Sequence, residues 1–432
     1  MSDLPKGWEW ATLGEIGRWG SGGTPRRTES RYHGGDIPWA LIGDLSDGVV
    51  TQVAATITEE GLAASSAKVV EVGTVLVAMY GSIGKLGIAG IPMATNQAIA
   101  YVKPDDRSIS HRYLFHFLRS QRVLLNRAGK GATQQNIGQG VLKAWPLPLP
   151  PRTEQDRIVA AIEEHLSRLD AADASLLACS QRIHVLRGRC LTEVFATPAP
   201  ALPLGDVALV GSGATPSRTQ QRYWDNGDVP WVSSGALNQS SVGQPTAFIT
   251  KAALHETSVK LWPAGTVLVA MYGEGKTRGR AAELGLESTC NQACAAIRPD
   301  PERLRSRYLR WWLNSRYDEN RRLASGGVQP NLSLGLVKAM RVPLPSLDEQ
   351  DQVIAELEDH TTRLDRVHDE TVAASRRSSA LRRSILAAAF SGKLVPQDPD
   401  DEPASVLLER IRAERTPGAE PEAAGAGSAR MT

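Results

Sequence analysis

The heptapeptide VLVAMYG occurs twice in this chain of 432 residues, at Val75–Gly81 and again 192 positions later at Val267–Gly273. A chance identity of this length within one chain is improbable, so the repeat indicates an internal duplication. A duplicated chain should fold as two similar domains. Any other repeats should then follow in the same order at a nearly constant offset.

The remaining repeats meet this condition, with an offset that drifts only from 191 to 195. Further matching segments lie along the whole chain, in the same order in both copies. They are GSGGTP at Gly20 and GSGATP at Gly211, DIPWALIGDL at Asp36 and DVPWVSSGAL at Asp228, TNQAIA at Thr95 and CNQACA at Cys290, RYLFHFL at Arg112 and RYLRWWL at Arg307, and LPLPPRTEQDRIV at Leu147 and VPLPSLDEQDQVI at Val342.

Each copy divides into two parts of different composition. The first part is rich in Gly and Pro and has short β-type runs such as TVLVAMY, which predicts a mixed α/β domain. The second part, Thr153–Phe195 in the first copy, has one Gly and no Pro and begins with acidic residues, as a long helix does. We therefore predict α/β domains at 1–150 and 198–345, long helices at 151–197 and 346–395, and a partly disordered tail with a short helix at 396–432.

Apolar residues recur every seven positions in both long helices, which is typical of a coiled coil. The first helix has the row Ile162, Leu169, Leu176, Ile183 and Cys190, with Ile158, Ala172, Cys179 and Leu186 interleaved. The second has Leu357, Leu364 and Ile385, with Val353, Val367, Ala374 and Leu381 interleaved, and Thr371 and Ser378 weaken its row.

A helix of about 43 residues is roughly 65 Å long. Two such helices, each with one apolar face, pack most simply on each other. The sequence thus predicts an α+β protein in which two duplicated α/β domains are separated by two long antiparallel coiled-coil helices with pseudo-twofold symmetry. We predict helix–helix packing for Ile162, Leu169, Leu176, Ile183, Leu357, Leu364, Leu381 and Ile385.

Composition excludes several classes of protein. No apolar run approaches the ~20 residues that span a bilayer, and the first residues do not resemble a signal peptide, so we expect a cytoplasmic protein. The four cysteines are too few and too irregularly spaced for a disulfide framework or a zinc site, which favours reduced, buried thiols.

Positive charge is concentrated in two windows that repeat each other, although the net charge is only +2. Lys103–Lys130 holds seven Lys or Arg against two Asp, and Arg298–Arg322 holds eight Arg against four acids. Such windows could bind phosphates, and they could equally form a solvated face. Their apolar members, at helical spacing, indicate packing rather than base stacking.

Motifs of catalysis are missing from the sequence. GEGKT at Gly273–Thr277 imitates a nucleotide-binding loop, but Ala270 stands where the first glycine is required. The tetrapeptide of amino-methyltransferases and the common hydrolase motifs do not occur. We therefore expect a chain without catalytic residues, metal or cofactor, while a nuclease built from scattered carboxylates stays open.

The ordered and duplicated motifs resemble the DNA-specificity subunit of Type I restriction-modification systems over nearly the whole chain. The opening LPKGWEWATLGEIG, the SGGTP segment, PLPLPPRTEQDRIV before a long helix, and the ending AAAFSGKLVPQDPDDEPASVLLERIRAER carry this resemblance.

The resemblance implies two target-recognition domains, each reading one half of a split site in double-stranded DNA, with the helices as a spacer. It also implies that two methyltransferase subunits dock on the helices and that motor-nuclease subunits join them. S-adenosylmethionine, ATP and magnesium would then belong to those partners.

Candidate DNA-binding residues come from comparing the two copies. Shared residues should maintain the fold, whereas differences flanked by identity could read two different half-sites with polar side chains. The candidates are Arg26, Arg27, Ser82, Lys85, Gln134, Gln135 and Asn136 in the first copy, and Arg218, Glu274, Lys276, Arg278, Arg280, Gln329 and Asn331 in the second. Variable surface loops without DNA contact are the alternative.

The amides of Asn96, Gln97, Asn291 and Gln292 suit adenine edges, but their presence in both copies favours capping of local backbone.

Two other functions remain compatible with the sequence. One is a specificity partner for a single-polypeptide restriction-methyltransferase enzyme. The other is a two-headed scaffold that binds proteins instead of DNA. The basic windows favour nucleic acid modestly.

Overall fold

The computed structural model describes residues 4–105, 107–129, 136–196, 199–272, 277–323 and 332–415. The chain forms two compact units. The first unit is Met1–Ala174 with Ser375–Thr432, and the second is Ser175–Ala374. Each unit holds one copy of the repeat, and each of the two long helices contributes residues to both units.

The described residues form the following strands and α-helices. The strands are β1 Glu9–Thr12, β2 Gly17–Ser21, β3 His33–Ala40, β4 Val49–Val50, β5 Ala55–Ile57, β6 Val69–Val70, β7 Val75–Ala78, β8 Leu86–Ala89, β9 Met93–Thr95, β10 Ile99–Pro104, β11 Pro146–Leu149, β12 Ala201–Pro203, β13 Ala208–Ser212, β14 Val229–Val232, β15 Ser241–Val242, β16 Ala247–Ile249, β17 Val267–Ala270, β18 Ala281–Leu284, β19 Thr289–Cys290, β20 Cys294–Pro299 and β21 Arg341–Pro343. The helices are α1 Glu59–Ala63, α2 His111–Ala128, α3 Gln139–Lys143, α4 Arg152–Val194, α5 Leu204–Val207, α6 Lys251–Glu256, α7 Ser306–Ser315, α8 Tyr317–Leu323, α9 Leu334–Ala339, α10 Leu347–Ala389 and α11 Ala404–Arg415.

Both units have the same sheet topology. The five-stranded sheet has the order β2-β10-β7-β8-β4 in the first unit and β13-β20-β17-β18-β15 in the second. A second sheet, β5-β3-β9-β6, corresponds to β16-β14-β19 in the second unit, where an isolated bridge between Trp262 and Ser288 stands in the place of β6. The pair β1-β11 likewise corresponds to β12-β21. The duplication inferred from sequence is therefore a duplication of fold.

The repeated heptapeptide is a central strand with a different core on each face. In the first unit Val75 and Val77 pack in the cluster that contains α2, while Leu76 and Ala78 pack in the cluster on the opposite face. The second unit repeats this division. Because side chains alternate along a strand, both sets of positions must be apolar, which explains the continuous hydrophobic run.

The helices of the basic windows cover one face of each five-stranded sheet. Leu114, Phe117 and Leu118 of α2 are buried, as are Leu309, Trp312 and Leu313 of α7, which confirms their packing role. Ser110 caps the start of α2 by accepting a hydrogen bond from the Tyr113 N–H.

A buried glutamine fastens each recognition-type domain to a long helix. The Gln155 side chain donates to the Ser108 and Pro150 carbonyls at 3.2 and 3.1 Å, and it accepts from the Ser110 N–H at 2.9 Å. Gln350 repeats the arrangement with Arg303, Pro345 and Arg305. Both glutamines are 0% exposed. This buried bonding fixes the entry of the long helix against the start of α2 or α7.

The long helices pack on each other in an antiparallel direction within each unit. In the second unit Thr371 donates to the Cys179 sulfur at 3.7 Å, and Arg187 binds Asp365. In the first unit Arg382 binds Asp170 and Asp173 at 2.7 Å each. Also in the first unit, Ile162 near the start of α4 and Ala389 at the end of α10 belong to one hydrophobic cluster, as antiparallel packing of the two helices requires.

Seven of the eight residues predicted to pack between the helices lie on a buried or half-buried stripe. These are Ile162, Leu169, Leu176, Ile183, Leu357, Leu364 and Ile385. Thr371 and Ser378, which interrupt the apolar row, are nevertheless buried in it. The row itself therefore faces the neighbouring helix along both α4 and α10.

The prediction for Leu381 is wrong, because its side chain is 53% exposed. Buried Leu166 and Ala389 lie four positions after the row residues Ile162 and Ile385, whereas Leu381 lies three positions after Ser378. At ~100° per residue, a position four residues on is only about 40° from the row, whereas one three residues on is about 60° away on the other side. Leu186 and Val367, three positions after Ile183 and Leu364, are also exposed, while Cys179 and Ala374 in the same register are half-buried.

The C-terminal segment packs on the first unit. Ala404, Leu408 and Ile411 of α11 join the core that contains β1 and the start of α4. Arg157 of α4 binds Asp401 at 2.5 Å and thereby lowers the pKa of that carboxyl. The short helix predicted within the tail is thus part of this unit's core.

All four cysteines are free thiols, and Cys290 and Cys294 are fully buried. Among the helices of the described residues, none combines the length and the apolar character that crossing a membrane requires.

The corrected position of the seam predicts a contrast between two leucines of α10. Leu357→Ala should lower the free energy of unfolding by about 2–4 kcal/mol, because Leu357 is 1% exposed and its loss leaves a cavity. Leu381→Ala should change it by less than about 0.5 kcal/mol. Urea unfolding of the full chain measures both, and equal losses would contradict the assigned seam.

Candidate nucleic-acid interface

The GSGGTP and GSGATP loops are anchored by the same bonds in both units. The Trp39 indole donates to the Gly23 carbonyl at 3.1 Å, and the Trp231 indole donates to the Ala214 carbonyl at 3.1 Å. Thr24 hydrogen-bonds to Gln97, and Thr215 hydrogen-bonds to Gln292. These loops are therefore fixed parts of the scaffold.

The shared Asn and Gln side chains serve the fold. Asn96 accepts a hydrogen bond from the Ala98 N–H at 3.2 Å, and Asn291 accepts one from the Cys294 thiol at 3.2 Å. Gln97 and Gln292 hold the threonines of the glycine loops. The predicted capping of local backbone is confirmed for Asn96, whereas Asn291, Gln97 and Gln292 bond to side chains instead.

Three candidate arginines follow the glycine loops. Arg26 and Arg27 are exposed in the first unit. In the second unit the Arg218 guanidinium lies 4.3 Å from the ring centre of Trp224 and 5.4 Å from that of Trp231. Contact with aromatic faces orients a guanidinium and leaves its N–H groups available at the ring edges.

Ser82, Lys85 and Asn136 are brought together around Tyr80. The Ser82 N–H donates to the Tyr80 carbonyl at 2.6 Å, and Asn136 forms an isolated β-bridge with Tyr80. Lys85 differs from the expectation of a free base-contacting cation, because its ammonium donates to the Ile42 and Gly43 carbonyls at 3.2 and 3.3 Å. Its charge thus stabilises the neighbouring turn.

The corresponding loop of the second unit carries arginines against a tyrosine. The Arg280 guanidinium lies 5.5 Å from the ring centre of Tyr317. Arg321 donates to the Arg278 carbonyl at 3.4 Å and to the Tyr317 hydroxyl at 3.2 Å. The candidates Gln134, Gln135, Glu274, Lys276, Gln329 and Asn331 lie outside the described residues.

Many cations of the basic windows are paired within their own unit. Arg112 binds Glu163 at 2.8 Å and Arg307 binds Glu358 at 3.4 Å, at equivalent places in the two units. Further pairs are Arg122 with Asp47, Arg305 with Asp351 at 3.1 Å, Arg316 with Glu319, and Lys103 with Glu71 at 3.7 Å. The windows consequently carry less free positive charge than their composition suggests.

Burial changes the titration of several groups in these windows. It lowers the pKa of the Arg310 and Arg119 guanidinium groups and of the His116 imidazole, the last in spite of the neighbouring Glu163 carboxylate. Burial alone would raise the pKa of Asp47, but hydrogen bonds from Arg122 and from the Leu86 N–H hold it below its ordinary value. These groups therefore lie where α2 or α7 packs against neighbouring parts of its own unit.

Sequence reasoning missed the residues that join the domains to the helices. Gln155 and Gln350 stand in the EQD motif that both copies share, and Glu163 and Glu358 lie eight residues further on. The signal was present as identity between the copies at polar positions of a helix. The role of these residues can be assigned only when their partners, at the start of α2 and α7, are known.

A family model described as the Type I restriction modification DNA specificity domain matches this chain twice, at residues 5–174 and 202–371. The specificity subunit of the Type I restriction enzyme MjaIX from Methanocaldococcus jannaschii is 24% identical over 319 residues, 69% of this chain and 73% of that protein. The StySPI specificity subunit of Salmonella potsdam is 22% identical over 447 aligned positions, 95% of this chain and 96% of its own length.

Solved structures share the fold. A chain from a study of complex assembly and conformational transition in the type I R-M system superposes with a TM-score of 0.75 at 20% identity, covering 91% of this chain and 100% of that one. The HsdS subunit of Thermoanaerobacter tengcongensis superposes with a TM-score of 0.62 at 20% identity, covering 91% and 98%.

These relatives do not favour a partner of a single-polypeptide enzyme or a protein-binding scaffold. The two matches of the family model together cover well over half of the chain. The chain belongs to the family of DNA-specificity subunits of Type I restriction-modification systems, whose part in the enzyme is DNA recognition rather than catalysis.

Proposed function

We propose that each of the two domains reads one half of a bipartite, asymmetric DNA site, and that the long helices set the distance between the halves. The chain specifies which DNA site its partners act on and catalyses no reaction itself. The observation that carries this proposal is the repeated attachment: one fold occurs twice, and each copy is held to a long helix by a fully buried glutamine.

The differences between the copies support separate reading. Equivalent loops start from the same strand ends and the same anchoring bonds, but they present different side chains. Beyond β7 the first unit offers Ser82, whereas beyond β17 the second offers Arg278 and Arg280. Side chains of different hydrogen-bonding capacity on one scaffold would distinguish different base edges in the major groove.

Attachment of both domains to one helix pair would make the distance between the half-sites a determinant of DNA-binding specificity. When one domain has bound its half-site, binding of the other becomes an intramolecular step. That step gains affinity only if the second half-site lies at the matching distance and helical phase, as symmetric dimers require of their half-sites. A helix of 43 residues, roughly 65 Å long, has the length for such a spacer.

We also propose that the helices dock two methyltransferase subunits and that motor-nuclease subunits join this core in the cytoplasm. The exposed apolar side chains of α4 and α10 support docking. Leu177, Val185 and Leu186 of α4 and Val367 and Leu381 of α10 are each at least 40% exposed. Exposed apolar residues along one helix pair are typical of surfaces that a partner covers. S-adenosylmethionine, ATP and magnesium would be bound by those partners.

Deletion of the gene should remove one split, asymmetric methylated motif from the methylome of the host. The reason is that methyltransferase partners without this chain have no means of locating the motif. Long-read methylome sequencing of the intact and deleted strains measures this directly, and restoring the gene on a plasmid is the control. An unchanged methylome in a host whose methyltransferase genes are expressed would contradict the proposal.

Exchange of residues 274–280 for those of another member of the family should change only one half of the methylated motif. This segment includes Arg278 and Arg280 of the second unit and leaves the first unit intact. The matched control is exchange of 82–85, which should change the other half alone. Methylome sequencing of both strains reads the outcome, and altered bases in both halves from either exchange would refute separate readers.

A further inference from the structure

The tyrosine of the repeated heptapeptide is the residue that packing does not explain. The five residues before it are at most 5% exposed in both copies, since they form the central strand and its end. Tyr80, by contrast, is 37% exposed and Tyr272 is 38% exposed. Maintenance of the core therefore accounts for the identity of VLVAM, and it does not account for the identity of the tyrosine.

The residue before each tyrosine is held by the same pair of backbone hydrogen bonds in both units. The Met79 N–H donates to the Ala98 carbonyl at 2.8 Å, and the Met79 carbonyl accepts from the Ile137 N–H at 3.0 Å. In the second unit Met271 makes the same two bonds with Ala293 and Leu332, at 2.7 and 3.1 Å. The backbone that carries each ring is thus bonded on both sides, and the two rings start from equivalent positions.

The surroundings of Tyr80 are the residues that the comparison of copies selects for base reading. Ser82 and Asn136 are bonded to its backbone. The turn that follows is held to α2, where Arg122 donates to the Gly84 carbonyl at 2.8 Å and Asn126 to the Ile83 carbonyl at 2.7 Å. Among the described residues, neither tyrosine hydroxyl makes a hydrogen bond. The backbone at each ring is thus held by hydrogen bonds, whereas its hydroxyl has no hydrogen-bond partner within the described part of the chain.

An exposed aromatic ring on a hydrogen-bonded backbone can stack against the bases of a nucleic acid. Every base has an aromatic face, so stacking on a ring tolerates any sequence, and on single strands it contributes about 1–3 kcal/mol per base. In a duplex the faces of each base are covered by its neighbours, so the ring must partly unstack a base step, which costs about a few kcal/mol. A contact of this kind suits a residue that is the same in both copies while the loops around it differ. A base-reading residue would instead be expected to differ between the copies.

We propose that Tyr80 and Tyr272 make the same sequence-independent contact in the two half-sites, each ring stacking against a base that it partly unstacks from its neighbour in the bound duplex. This inference rests on the proposed function and adds a positioning residue to each reader. The variable loops then choose the bases, and the tyrosine fixes how the duplex sits beneath them.

The test measures binding of the full chain, with its methyltransferase partners, to a fluorescent duplex that contains the methylated motif. Tyr80→Ala and Tyr272→Ala should each weaken binding between about 3-fold and roughly 150-fold, because the cost of unstacking a base step offsets part of the ~1–3 kcal/mol that one stacked base contributes. Tyr80→Phe and Tyr272→Phe, which keep the ring, should bind within about twofold of the parent chain. The salt dependence of binding should not change in any variant, because no phosphate contact is removed.

Two controls separate stacking from simpler causes. Phe248→Ala removes a ring that is 48% exposed on β16, where the first copy has Thr56 at the equivalent place, and it should not affect binding. Tyr80→Leu keeps apolar bulk for folding but has no aromatic face, and it should weaken binding as the alanine variant does. Thermal unfolding of each variant confirms that the fold is kept.

Three results would overturn the inference. Alanine variants that bind like the parent would show that the rings do not contact DNA. Phenylalanine variants as weak as alanine would assign the contact to the hydroxyl, and a leucine variant as strong as the parent would assign it to apolar bulk. Failure of the parent chain to bind its motif at all would contradict the proposed function instead, so the two failures are distinguishable.

Discussion

The buried glutamine at the start of each long helix is the interaction on which the rest of the structure depends. Gln155 and Gln350 are fully buried and each satisfies three backbone groups, which belong to the domain on one side and to the helix entry on the other. Leaving such buried groups unsatisfied costs about 1–3 kcal/mol each. The exposed pairs Arg112 with Glu163 and Arg307 with Glu358 reinforce the same junction, though each contributes less than about 1 kcal/mol. A domain held in this way turns with its helix.

The two copies divide their residues between support and recognition. Residues that are the same in both copies form the central strand, anchor the glycine loops and fasten the domains to the helices. Residues that differ, such as Ser82 against Arg278 and Arg280, lie where the strands end. The tyrosines at 80 and 272 belong to neither group, because they are shared and yet exposed. A shared, exposed ring beside variable loops is what a common docking contact requires.

Repetition made the architecture predictable from sequence. Each copy served as a control for the other, so the duplicated domains, the two long helices and the apolar row between them could be inferred. Leu381 was misplaced because three- and four-residue spacings both fit a heptad, and the position three residues after Ser378 is exposed. The sequence left open whether the basic windows bind phosphates or form a solvated face, since the acids that pair with Arg112, Arg122 and Arg307 lie 51, 75 and 51 residues away. Side-chain partners at such distances are not legible without the fold.

The central claim is that domains fastened to paired helices allow one separation of the half-sites. Adding one base pair between the half-sites moves the second by about 3.4 Å and turns it by about 35° around the duplex. The most direct measurement is the affinity of the chain, with its partners, for duplexes that keep both half-sites and vary only the spacer by one or two base pairs. The account predicts a single preferred spacer, with binding at least about tenfold weaker on either side of it. Equal affinity across several spacers would contradict it.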